Sequence, residues 1–318
     1  MKVQNLSGVW APICTPFTKG EVDIGKLEHN LEIYSKTKLR GYFALGSNGE
    51  ACMLNEEEKK RVLRTVLRRK ERNQLLMAGC SHESLPGTIA LTKLAADEGA
   101  DVVSIMTPHY FKKAMTDDAL ICFFRAAADN SPLPVVLYNA PGFAAGVALS
   151  VKAVVRLSEH PNIIGMKDSA PTGPNIFLSI IDRKKLSILA GSANFFLSSL
   201  VMGAVGGVLS TANFLPQACC HLYEIFEQGN MEEARRLQHA LMRVNRGVSG
   251  EYGVAGVKVA MDFTGFSAGD PRLPLLPLSS TERENIRLAL EKFMEEYPQF
   301  RNHFISEPFC GEPNKTLN

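Results

Sequence analysis

The chain has 318 residues, 45% of them hydrophobic and 21% charged, with 35 Lys and Arg against 33 Asp and Glu. This ordinary globular usage excludes extended disorder, and a formal charge of +2 makes no broad electrostatic case for nucleic acid or an anionic membrane as partner. Seven cysteines without a C-x-x-C pair, and seven histidines without ligand spacing, argue against a disulfide framework and against a bound metal.

In chain order, residues 1–10 lack the apolar run of a secretory signal and pass at once into a strand-like segment, so the expected setting is cytoplasmic. Eight short apolar runs with turn signals at their ends follow, at 8–14, 41–46, 74–79, 101–107, 134–139, 163–168, 186–191 and 205–210. Runs such as VVSIMT and IIGMKD are apolar almost throughout, as parallel strands covered on both faces must be. Helical segments separate them, at 23–38, 55–70, 84–98, 116–128 and 150–158. The spacing is that of βα units, and eight such units close a (β/α)8 TIM barrel.

The expected division is a barrel over 1–228, a C-terminal helical extension over 229–300 and a loosely ordered tail over 301–318. Helices near 217–227, 231–244 and 281–296 are too many for the one that closes a barrel. The least polar stretch, 195–209, contains Ser198, Ser199 and several glycines, falls short of the roughly 18 apolar residues of a membrane span, and is expected to be buried barrel. The basic stretch 59–72 keeps Val62, Leu63, Val66 and Leu67 at helical spacing, which predicts a solvated helix face rather than a nucleic-acid surface. An open doubly wound sheet is the competing architecture, but no G-x-G-x-x-G follows the first run.

In a barrel, chemistry gathers at the C-terminal ends of the strands. The sixth run ends in Lys167-Asp168, which places a lysine at the end of an otherwise apolar segment. An amine is nucleophilic only when neutral, and a water-poor barrel mouth disfavours ammonium; the same position also fits a lysine that snorkels to solvent or pairs with Asp168. Tyr138 ends the fifth run beside it, as a proton carrier or as a packed aromatic. The turn at 46–50, G-S-N-G-E, has the composition of a carboxylate-binding nest and equally of an ordinary turn, and His109 and Tyr110 add polar rings at the fourth run's end.

These segments resemble the dihydrodipicolinate synthase and N-acetylneuraminate lyase family: G-S-N-G-E at 46–50, T-P-H-Y at 107–110, Y-N-A-P at 138–141, G-M-K-D-S at 165–169, L-A-G-S at 189–192 and G-V-L-S-T-A-N at 207–213. The resemblance spans about residues 7–295. It implies a lyase without a cofactor, acting on a pyruvate-type 2-oxo acid and an aldehyde through a Schiff base on Lys167, with Tyr138 moving protons and Tyr110 and Ser47 in the relay. By the same resemblance Ser47 and Asn48 hold the 2-oxo acid's carboxylate, Ser169 meets the distal part of the substrate, and Gly191 and the Leu209 carbonyl line the pocket. Tyr110 reaches a neighbouring subunit in that family, which implies a homotetramer built from two dimers. The arginine that such synthases carry shortly after Y-N-x-P is absent from P-G-F-A-A-G at 141–146. Without that bidentate partner for a second carboxylate, the motifs resemble the branch that splits 4-hydroxy-2-oxoglutarate into pyruvate and glyoxylate, with 2-keto-3-deoxy sugar-acid aldolases next and dihydrodipicolinate synthase itself after them. A barrel that binds a 2-oxo acid without turning it over is the reading from another functional class.

Overall fold

The computed structural model describes residues 5–182 and 184–301, and the tail expected over 301–318 lies, except for residue 301, outside them. Eight parallel strands form a closed barrel: β1 (Gly8–Ala11), β2 (Gly41–Ala44), β3 (Leu75–Gly79), β4 (Val102–Met106), β5 (Val135–Asn139), β6 (Ile163–Asp168), β7 (Ser187–Ala190) and β8 (Gly206–Val208). Each strand pairs with its sequence neighbours, and β8 closes on β1 with Gly8 opposite Gly206. The backbones are so close there that a Cβ on Gly206 would collide with the Gly8 carbonyl, which is why glycines gather at this strand start.

Strand periodicity sorts each run into two faces. Val136 and Tyr138 of β5 point into the barrel, where Leu6, Trp10, Phe43, Met77, Val102, Leu189 and Val208 fill the lumen. Val135 and Leu137 alternate with them and pack outward beneath the helices. Burial on both faces explains the unbroken apolar runs of the sequence. The floor of the lumen is tied by the Trp10 indole, which donates to the Leu6 carbonyl at 2.9 Å.

The helices between strands are α1 (Ile24–Ser35), α2 (Glu56–Arg69), α3 (Leu85–Asp97), α4 (Asp117–Asn130), α5 (Val151–Leu157), α6 (Asn175–Leu178) and α7 (Phe196–Val201). Asp23, Asn55, Ser84, Thr116 and Ser150 cap the first five by accepting from a backbone N–H of the first turn. The basic α2 buries Val62, Leu63 and Val66, while Lys60, Arg64 and Arg69 pair with Glu56 and Glu57, Glu98 and Glu28 respectively. Within the stretch 195–209, Phe196–Val201 is the helix α7 and Gly206–Val208 is the strand β8. The hydroxyls of Ser198 and Ser199 both donate back to the Phe195 carbonyl and are satisfied within that turn.

Among the described residues four helices follow β8, α10 being added to the three expected: α8 (Pro216–Glu227), α9 (Met231–Asn245), α10 (Glu251–Phe263) and α11 (Ser280–Glu296). Helix α10 escapes a sequence reading because Gly250, Gly253 and Gly256 dilute its helical pattern, and Gly253 takes a φ of 56°. A small hairpin, Phe17–Thr18 with Glu21–Val22, stands after β1; Lys19 and Gly20 turn it with φ of 53° and 80°. No helix of the described residues is long and apolar enough to cross a membrane.

Candidate active site

Lys167 lies on the inward face of β6, in line with Tyr138 on β5. The residue is 4% exposed, and its Nζ stands 4.1 Å from the Tyr138 ring centre and 4.9 Å from that of Phe43. No carboxylate of the described residues lies within salt-bridge distance of it. It therefore neither snorkels to solvent nor pairs with Asp168. Being one residue further along the strand, Asp168 faces the opposite side, where its Oδ1 accepts from Asn139 Nδ2 at 2.8 Å and from the Ala170 N–H at 3.1 Å. Burial raises the Asp168 carboxyl above the usual range against those two hydrogen bonds.

Tyr138 is buried beneath this mouth, with its hydroxyl 3.3 Å from Ser47 Oγ and its ring edge-on to Phe43 at 6.0 Å. Burial pushes its phenol up, but the Lys167 charge and hydrogen bonding with Ser47, Lys167 and Ser169 outweigh that and leave it below its ordinary value. A phenol ordinarily ionises near pH ~10, so this shift moves it toward proton transfer.

The turn after β2 supplies Ser47 and Asn48. Leu45 and Glu50 bracket it with φ of 58° and 50°, and a Cβ on Gly46 would press on the Phe43 ring. Asn48 Nδ2 donates to Ser210 Oγ at 2.9 Å, which ties the turn to the segment after β8. Among the described residues, the N–H groups of Ser47 and Asn48 donate to no protein acceptor. Two adjacent free amides are what a carboxylate nest requires.

Ser169 Oγ donates to the Gly191 carbonyl at 3.4 Å, and the Gly191 N–H donates to the Asp168 carbonyl at 2.7 Å. A Cβ at 191 would collide with both Ser169 and Asp168, so glycine is required there. The Leu209 carbonyl accepts from the Ala212 N–H at 2.9 Å, which leaves it one lone pair. Tyr110 stands apart from these residues: it is 77% exposed, its ring meets Phe111, and its N–H donates to Glu83. The structure also adds residues that the sequence did not single out. Phe43 forms the apolar wall under the lysine, Asn139 anchors Asp168, and Ser210 receives Asn48. An inward phenylalanine in a fully apolar run carries no signal of its own.

Comparison with known proteins decides among barrel enzymes. The model of the dihydrodipicolinate synthetase family matches residues 5–293. The chain belongs to that family. It is a lyase of the dihydrodipicolinate synthetase family, and two curated relatives and a solved structure show the activities around it. A probable mitochondrial 4-hydroxy-2-oxoglutarate aldolase of Emericella nidulans is 32% identical over 295 residues, 91% of this chain and 95% of the relative. An L-threo-3-deoxy-hexylosonate aldolase of Hypocrea jecorina is 33% identical over 304 residues, 89% of this chain and 96% of the relative. The solved 4-hydroxy-tetrahydrodipicolinate synthase of Methylacidiphilum fumariolicum SolV superposes with a TM-score of 0.86 at 29% identity, covering 94% of this chain and all of that one.

Proposed function

We propose that this aldolase cleaves 4-hydroxy-2-oxoglutarate to pyruvate and glyoxylate, or condenses them, through a Schiff base on Lys167. The observation that carries the reading is the buried Lys167 nitrogen, free of any carboxylate among the described residues and set against a tyrosine whose phenol is held below its ordinary value.

The Lys167 amine adds to the C2 carbonyl, and loss of water gives a protonated imine that is an electron sink. Tyr138, as phenolate, takes the C4 hydroxyl proton; the C3–C4 bonding pair moves into the enamine, and the aldehyde leaves. Protonation at C3 and hydrolysis of the imine then release pyruvate and the free amine. In this reading the Ser47 and Asn48 amides hold the 2-oxo acid's carboxylate, and the Ser47 hydroxyl passes the proton of Tyr138 onward. Ser169 faces the distal end of the substrate, and Gly191 and the Leu209 carbonyl line its path.

Substrate choice rests on the segment 141–146, where the turn after β5 offers no arginine to a second carboxylate, and on the name of the Emericella relative. A 2-keto-3-deoxy sugar acid is the second reading, favoured by the Hypocrea relative. Pyruvate release from each acid, under equal conditions, separates the two: kcat/KM higher for 4-hydroxy-2-oxoglutarate supports the first, and the reverse order replaces it. The same proposal includes a homotetramer, in which exposed Tyr110 reaches the site of a second copy, and a cytoplasmic setting, in keeping with six free cysteines among the described residues. The barrel over 1–228 and the helical region over 229–300 are proposed as one working unit.

A further inference from the structure

We propose that Glu50 and Lys258 are positioning residues for the substrate carboxylate: an ion pair from the C-terminal helical region that holds the turn carrying the Ser47 and Asn48 amides. The inference rests on the reading of that turn as the 2-oxo acid's anchor.

The pair is sealed from water. Lys258 Nζ lies 2.6 Å from Glu50 Oε1, and the two side chains are 0% and 1% exposed. A buried ion pair is weak evidence for stability, because apolar side chains of similar volume often serve the fold as well or better. Its place in the molecule gives it another use. Glu50 follows Ser47, Asn48 and Gly49 directly and is held at φ 50°, a left-handed conformation uncommon for a side chain of its size. In that conformation its N–H closes the turn on the Ser47 carbonyl at 3.1 Å, so rotation at Glu50 reorients the amides before it.

Everything that restrains Glu50 from behind comes from beyond the barrel. Oε2 accepts from the Arg272 N–H at 2.8 Å, and Oε1, which has no aligned hydrogen bond, is left to the Lys258 charge. Lys258 is fixed in turn by the Asp270 carbonyl at 3.2 Å and by the Phe17 ring at 4.2 Å. On the other side of the turn, Thr15 Oγ1 donates to the Gly49 carbonyl at 2.7 Å. The turn is thus gripped from α10 and its following loop on one side and from the segment after β1 on the other. A helical region that looks like an appendage in the sequence becomes part of the carboxylate site.

The test is the full chain carrying Glu50→Met and Lys258→Met together, which leaves no lone charge buried. The probe is pyruvate, trapped with borohydride over a range of concentrations, alongside kcat for 4-hydroxy-2-oxoglutarate. The pyruvate concentration for half-maximal trapping should rise about tenfold, the loss expected when a charge-held contact is released, while the adduct at saturation and kcat stay within about twofold of wild type. An unchanged concentration dependence in the folded double variant overturns the inference and leaves the wild-type adduct, and so the proposed function, standing. A wild-type chain that forms no adduct overturns both. Should the double variant not fold, Thr15→Val loosens the same turn from its other side: the same rise supports the inference, and no rise overturns it.

Discussion

Tyr138 and Lys167 are register partners on β5 and β6, and the lysine nitrogen stands 4.1 Å from the centre of the phenol ring. Two adjacent parallel strands thus deliver the proposed nucleophile and the proposed proton carrier to the same side of the barrel mouth, because both residues occupy the inward phase of their strand.

The first prediction concerns the ionisation of Tyr138. Burial alone raises this phenol, and the Lys167 charge is foremost among the effects that bring it below its ordinary value. Lys167→Met removes that charge, so the tyrosinate absorbance assigned to Tyr138, taken as the difference from a Tyr138→Phe chain, should appear at higher pH than in wild type. With the phenolate as the proposed base, the wild-type cleavage rate should rise with pH through the Tyr138 ionisation. Identical titrations in the two chains would show that the lysine does not set it.

Gly191 supplies a steric prediction. Its Cα faces Ser169 Oγ and the Asp168 carbonyl too closely for any side chain. Gly191→Ala must displace β6 or β7 at the mouth, and overpacking of this kind costs about 1–3 kcal/mol in a urea titration. The fall in kcat/KM should exceed what the lost folded fraction explains, because Ser169 moves with the strand. A variant with wild-type kcat/KM would remove Ser169 from the substrate's path.

Asp168 gives a pH-dependent one. Its carboxyl is raised by burial, and its Oδ2 has no hydrogen-bond partner among the described residues. A carboxyl raised in the folded state contributes stability that is fully present below the unfolded value and is lost as pH rises through the folded value. Asp168→Asn keeps an acceptor for Asn139 and Ala170 without the charge. The variant should therefore gain stability relative to wild type between acid and neutral pH, with no gain below the ordinary carboxylate range. Denaturant midpoints across that window check the sign, and a wild-type advantage that grows toward neutrality would contradict it.

Particular residues explain what the sequence made legible. The eight strands stand out because burial on both faces leaves each run apolar, and Lys167 stands out as a lysine near the end of one. The capped helices α1 to α5 announce themselves through Asp23, Asn55, Ser84, Thr116 and Ser150. Lys258 gives no such signal: a lysine on a helix ordinarily faces water, and only the fold brings Glu50 to it across more than two hundred residues. Phe43 is hidden for the opposite reason, as one apolar residue in a row of them. Tyr110 was legible as a motif, yet within one chain it lies on the surface, so the relay part proposed for it requires a second copy.

The most direct test of the central proposal is to incubate the protein with pyruvate, reduce with borohydride, and map the modified peptide by mass spectrometry. Reduction makes only a true imine permanent. A single adduct on Lys167, absent from a folded Lys167→Ala chain, is the predicted result. A folded wild-type chain with no adduct at Lys167 would contradict the Schiff-base mechanism and leave a 2-oxo acid binding barrel in its place.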